Sequence, residues 1–203
     1  YFFFRFFLII YIMQIFKYYY NNVIKYDVIN KFYYKKYKQI PKIIKIILSF
    51  NCKNLNIKQL ISSLIVLELI SAKKGLILVS KKSDVLLRIK KGNPVGCSVT
   101  LKKIDMNLFF FRLISEILPN INLFEGFYIK QLDNSHSNSF LFVLNKALFI
   151  FELQKYYFFF RDIPTLKINI VTNSTFIYEL IFILKSYKFP LIFYKDNNYN
   201  LQI

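Results

Sequence analysis

The sequence predicts an α+β fold: a mainly antiparallel sheet backed by helices. Three observations predict it. Short β-branched runs alternate with apolar stripes at helical spacing. Several of those runs are separated by hairpin-type turns rather than by the long crossovers a parallel sheet requires. No repeat and no Pro/Gly/Ser-rich linker divides the 203 residues, a length suited to one domain with a buried core.

In chain order, residues 1–16 form an apolar N-terminal extension, YFFFRFFLIIYIMQIF, interrupted by Arg5 and Gln14. This is short of the roughly 20 apolar residues a membrane-spanning helix needs. It reads as a helical extension packed on a neighbour, with a membrane anchor as the alternative. Residues 17–36 read as a basic, Tyr-rich helix ended by Pro41. Lys42–Phe50 (KIIKIILSF) reads as a strand. Ile57, Leu60, Ile61, Leu64, Ile65, Leu67 and Leu69 mark a helix capped by Asn56 and closed by Lys73-Lys74-Gly75. Leu76–Val79 and Val85–Ile89 read as strands around a basic loop, Ser80–Asp84. Lys90-Lys91-Gly92-Asn93-Pro94 is a turn, and Val95–Leu101 a further strand. Met106, Phe109, Phe110, Leu113, Ile114 and Ile117 form an apolar helical stripe with Asp105 as N-cap and Pro119 after its end. Residues 131–139 are a polar loop. Phe140–Val143 and Leu166–Val171 read as strands. Asn173 or Ser174 caps a last helix, about Thr175 to Tyr187. Residues 17–193 thus make one domain, followed by a tail, 194–203.

Charge defines the partner class. The chain has 29 Lys+Arg against 11 Asp+Glu, a net charge of +18. Such a surplus calls for a polyanion, nucleic acid before an anionic membrane surface. The surplus is local: Lys17–Lys103 holds 19 basic residues and three acidic ones, while Ile104–Ile203 holds nine and eight. The first half therefore reads as the docking half and the second as packing or protein-facing. The abundance of Phe, Tyr, Ile, Lys and Asn reflects AT-rich codons, as in an organellar genome.

Enzyme chemistry has few footholds. Cys52 and Cys97 are too far apart for a metal motif and read as thiols of a reducing compartment; Cys97 reads as a small core residue. The lone His136 sits in a Ser/Asn-rich loop. No Gly-rich phosphate loop and no nucleophile–base pair is visible, so no enzyme, metal or cofactor is expected. Phe109–Phe111 and Tyr156–Phe160 read as core or protein-interface aromatics. Tyr18–Tyr20, interleaved with Lys17 and Lys25, also fit RNA contacts.

At Lys73–Pro119 the residues carry a resemblance. Gly92-Asn93-Pro94-Val95-Gly96-Cys97-Ser98-Val99-Thr100-Leu101-Lys102, then Arg112-Leu113-Ile114 and Pro119, is similar to a pattern of bacterial large-subunit ribosomal protein number five. That pattern is Gly-x-Pro-hydrophobic-Gly-Cys-x-Val-Thr-Leu-Arg, followed by a helix with Arg-Leu-Ile and a closing Pro. Ile40-Pro41-Lys42-x-x-Lys45, Phe124-x-Gly126, Ile168–Thr172 and Phe189-Pro190 extend the likeness over about Lys17 to Phe193. The chain departs from the family at Leu48-Ser49-Phe50-Asn51, where the family has Leu-Asn-x-Gly. It departs again at Glu125, where the family has Arg, and at Asn134–Asn138.

The resemblance implies a ribosomal protein five-like fold and a structural, RNA-binding role in the central protuberance of the large subunit. The implied partners are large-subunit ribosomal RNA, 5S ribosomal RNA, peptidyl-site transfer RNA and neighbouring ribosomal proteins, among them a small-subunit bridge protein. With the codon bias, it implies a mitochondrial ribosome in the matrix. Lys42, Lys45, Lys73, Lys74, Arg88, Lys90, Lys91, Lys102 and Lys103 are the expected ribosomal-RNA ligands, acting by phosphate neutralisation. Lys81, Lys82 and Ser83 are the expected contact to transfer RNA. The alternative is a basic peripheral membrane protein anchored by residues 1–16.

Overall fold

The structure is a computed structural model and describes residues 15–52, 57–83, 85, 89–121, 124, 126–129, 138–145 and 150–193. The expected N-terminal extension up to residue 14, the Asn56 cap, Arg88, His136 and the tail 194–203 lie outside the described residues.

A five-stranded antiparallel sheet organises the chain, in the order β2-β3-β1-β6-β5. Its members are β1 (Ile43–Asn51), β2 (Leu76–Val79), β3 (Pro94–Lys102), β5 (Ser139–Leu144) and β6 (Leu166–Thr172). Short β4 (Phe127–Ile129) and β7 (Leu191–Phe193) pair in parallel beside it. Period-two alternation selects the buried face. Ile46, Leu48 and Phe50 of β1, Val99 and Leu101 of β3, and Leu166, Ile168 and Ile170 of β6 all point inward. Against them pack helix α2 (Ile57–Ser71), helix α3 (Lys103–Arg112, running on through the π-helical turn Leu113–Ile117) and, later in the chain, the short helices α4 (Phe151–Gln154) and α5 (Tyr157–Phe160) and helix α6 (Ile177–Ser186). Helix α1 (residues 15–31, π-helical over Tyr20–Ile24) closes a smaller cluster in which Ile24, Val28 and Ile40 meet Ile183 of α6.

Several expectations are corrected. Helix α1 stops at Lys31, not residue 36, because Phe32 turns into extended backbone and packs edge-on against Phe182, 5.7 Å between ring centres. It is also already formed at Ile15, and Phe16 packs on the main core, so the boundary at residue 16 falls inside an element. Strand β2 pairs with β3, making residues 80–93 one arm; of the expected strand Val85–Ile89, residues 86–88 lie outside the described residues and Ile89 makes only an isolated bridge. Helix α2 ends at Ser71, with Ala72 in the left-handed region (φ 51°) ahead of the expected Lys-Lys-Gly stop.

Asp105 does not cap α3, which begins two residues earlier. It lies in the first turn, where its carboxylate suits the positive end of the helix dipole and pairs with Lys73. Neither Asn173 nor Ser174 caps α6. Asn173 is drawn away to hold Ile40 and Lys42, and the Thr175 and Phe176 amides donate instead to the Glu179 carboxylate, at 2.9 and 3.3 Å. Of Tyr156–Phe160 only Phe160 is buried. Cys97 is fully buried as expected, and burial pushes its thiol pKa up, away from reactivity.

Gly96 shows why this hairpin needs a bare backbone. A Cβ there would lie 2.3 Å from the Phe50 carbonyl oxygen of β1. Gly96→Ala is expected to force β1 and β3 apart near Asn51 and to lower stability by about 1–3 kcal/mol. Urea denaturation checks this; an unchanged midpoint would mean the strands give way freely.

Candidate nucleic-acid interface

The outer face of the sheet carries no described helix, and its register assembles residues distant in sequence. Lys45 lies directly opposite Lys102 on one side and Val171 on the other. The next row across is Thr100, Ile47 and Asn169, and the next Ser98, Ser49 and Lys167. None of the five strands contains an acidic residue. Like charges directly opposed on neighbouring strands are destabilising. A third cation, Lys167, stands on the same face with no carboxylate among these strands to offset it. The Asn169 side-chain oxygen, central on this face, accepts no hydrogen bond from any described residue. A phosphate backbone supplies what is missing: negative charge for the lysines, and sugar hydroxyls as donors for the amide oxygen.

Of the expected ligands, Lys45 and Lys102 therefore come together. Lys42, exposed just before β1, is fixed through its main chain: its amide donates to Asn173 Oδ1 at 2.5 Å, and Asn173 Nδ2 donates to the Ile40 carbonyl at 3.2 Å. Lys103 follows Lys102 in the left-handed region (φ 50°), turning the chain from strand into helix, and is exposed. Lys73 is held differently: its ammonium lies 2.6 Å from the Asp105 carboxylate, with both side chains about 40% exposed. Lys74 is exposed beside it.

A second group gathers at the arm between β2 and β3. Ser80 clamps its base, donating from its amide to the Asn93 carbonyl (2.9 Å) and from its hydroxyl to the Lys90 carbonyl (2.6 Å), while the Gly92 amide donates back to the Ser80 carbonyl (3.0 Å). Gly92 takes φ 90°, the left-handed conformation this turn needs. The clamp brings Lys81 and Lys82 alongside Lys90 and Lys91, and these lysines and Ser83 are all exposed.

Sequence reading missed Lys167 and Asn169, because the second half is nearly neutral overall. Their signal was the alternation in LKINIVT, where Leu166, Ile168 and Ile170 point inward and leave Lys167 and Asn169 outward. Tyr19 and Tyr20 are not free for stacking: their hydroxyls donate to the Ser186 and Pro41 carbonyls, at 3.1 and 3.0 Å, and burial pushes the Tyr20 hydroxyl up to about 12. Among the described residues no helix is long and apolar enough to cross a membrane, and no group of three or more His, Cys, Asp or Glu could hold a metal ion.

Comparison with known proteins gives this surface a family. A model of the C-terminus of the ribosomal uL5 family matches residues 94–191. The large ribosomal subunit protein uL5 of Blochmanniella floridana is 34% identical over 175 residues, covering 85% of this chain and 90% of that protein. The chain belongs to the uL5 family. The large ribosomal subunit protein uL5m of Reclinomonas americana is 33% identical over 178 residues (86% of this chain, 96% of that protein). The uL5 of Nitrosomonas eutropha is 35% identical over 179 residues (87% and 97%). uL5 proteins are structural and non-enzymatic, in keeping with a site of lysines, hydroxyls and amides that lacks a nucleophile–base pair.

Proposed function

We propose that this chain is a structural, RNA-binding component of the large ribosomal subunit, in a mitochondrial ribosome. The observation that carries the reading is the outer sheet face, where Lys45 opposes Lys102, Lys167 stands nearby and no strand contributes an acid. Ribosomal RNA of the central protuberance docks on this face and on Lys42, Lys74 and Lys103, with 5S ribosomal RNA a further partner. The clamped arm carries Lys81, Lys82 and Ser83 outward to peptidyl-site transfer RNA. The near-neutral second half meets neighbouring proteins, including a small-subunit bridge protein. The codon bias and the likeness to a uL5m protein support the mitochondrial assignment.

Crosslinking mapped by RNA sequencing tests this. Crosslinks are expected from the sheet face to large-subunit RNA and from the arm to transfer RNA. Co-sedimentation with membranes after carbonate extraction, without ribosomes in high-salt gradients, would overturn the reading. Lys81→Glu with Lys82→Glu is expected to cut translation several-fold while subunits still assemble, because the arm lies outside the core and the sheet face. Complete assembly failure in gradient profiles would count against the arm's role.

A further inference from the structure

Helix α1 and the turn after it carry a second basic surface, separate from the sheet face. Between residues 15 and 52 the only acidic residue is Asp27. While Ile24 and Val28 pack inward, three tyrosines face solvent: Tyr26 is 56% exposed, Tyr37 72% and Tyr33 88%. They are not isolated from charge. The Lys25 ammonium lies 4.5 Å from the centre of the Tyr37 ring and 5.7 Å from that of Tyr26. Lys35, Lys36 and Lys38 are exposed around the same turn.

Tyr37 is also held in place. It opens the 3-10 turn Tyr37–Gln39, in which the Lys36 amide donates to Gln39 Oε1 at 3.2 Å. The chain beyond is pinned by the Tyr20 hydroxyl on the Pro41 carbonyl and by Asn173 on the Ile40 carbonyl. A turn needed only for solubility has no use for exposed rings on an anchored backbone beside a lysine cluster. Rings that present a face and cations that flank them are the two elements that hold single-stranded nucleic acid: bases stack on the rings and phosphates meet the ammonium groups.

The geometry points to a stacking platform for unpaired ribonucleotides: bases lie on Tyr33 and Tyr37, and their phosphates meet Lys25, Lys35, Lys36 and Lys38. This rests on the RNA-binding reading above and deepens it, since the sheet face suits the backbone of folded RNA whereas this surface suits an unpaired strand. Recognition of this kind tolerates any base.

The test uses the full chain and a fluorescent oligouridine of about twelve nucleotides, a length within the span of single-strand sites. Tyr33→Ala with Tyr37→Ala is expected to weaken binding about tenfold or more, and Tyr33→Phe with Tyr37→Phe to retain it, because stacking needs the ring and not the hydroxyl. Lys35→Gln, Lys36→Gln and Lys38→Gln together are expected to lower the salt slope by about 2. Unchanged melting temperatures show that the variants fold. If the alanine pair binds as the parent does while the glutamine triple weakens, only charge acts there and the platform is overturned. No binding of the oligouridine by the parent overturns it as well; ribosomal RNA retained in that case leaves the family reading standing. It is equally overturned if the alanine pair loses only binding to phosphatidylglycerol vesicles.

Discussion

Lys45→Glu is expected to make the free protein more stable and the RNA complex weaker. Lys45 and Lys102 are directly opposed across β1 and β3. Opposed like charges cost free energy, and opposed unlike charges contribute roughly 0.2–1 kcal/mol. The reversal is therefore expected to stabilise by about 1 kcal/mol, raising the melting temperature by about 2–4 °C for a chain of this size. The same change removes a phosphate ligand and places a carboxylate at its position. Affinity for large-subunit RNA is expected to fall about tenfold or more, and the salt slope by at least about 1. Calorimetry on the free chain and filter binding across a salt series read the two effects separately. Higher stability with unaltered RNA affinity would mean that the face is only solvated.

Phe110→Ala is expected to cost the most stability and to release helix α1. Phe110 is 1% exposed. Its ring meets Phe16 edge-on at 5.8 Å and Tyr187 edge-on at 5.3 Å, and stacks on Phe189 at 6.2 Å. Truncating such a ring costs about 3–5 kcal/mol, which lowers the melting temperature by roughly 6–20 °C. Because Phe16 rests on Phe110 and Tyr187, amide exchange over residues 15–31 is expected to accelerate beyond the global change. Met106→Ala, in the same helix, is expected to destabilise while leaving α1 protected relative to the rest. Equal acceleration in both variants would show that α1 does not depend on the Phe110 contact. Since α1 carries the tyrosine–lysine surface, this contact also links core packing to RNA binding.

Much of the fold was legible because its signals are local. β3 and β6 follow β-branched, alternating runs bounded by turn residues, and the chain observes them within a residue or two of the expected limits. The apolar stripe from Met106 to Ile117 is a helix for the same reason. Caps were less legible. Asp105 and Asn173 have the right chemistry to cap a helix, but each is claimed by a partner far away in sequence, Lys73 for one and the Ile40–Lys42 segment for the other. The end of α1 was set likewise, by Phe32 finding Phe182.

By itself the sequence determined the α+β class, the residues of most strands, the polyanion as partner and, through the Gly92–Lys102 block, the family. Those are properties of composition, period and local motif. Tertiary structure alone decided which cations share a surface. Strand β6 inserts beside β1, so Lys167 and Asn169, from a half of the chain without net charge surplus, join Lys45 and Lys102 on one face. Strand order depends on which apolar faces bury each other across more than a hundred residues, and no window of sequence holds that information.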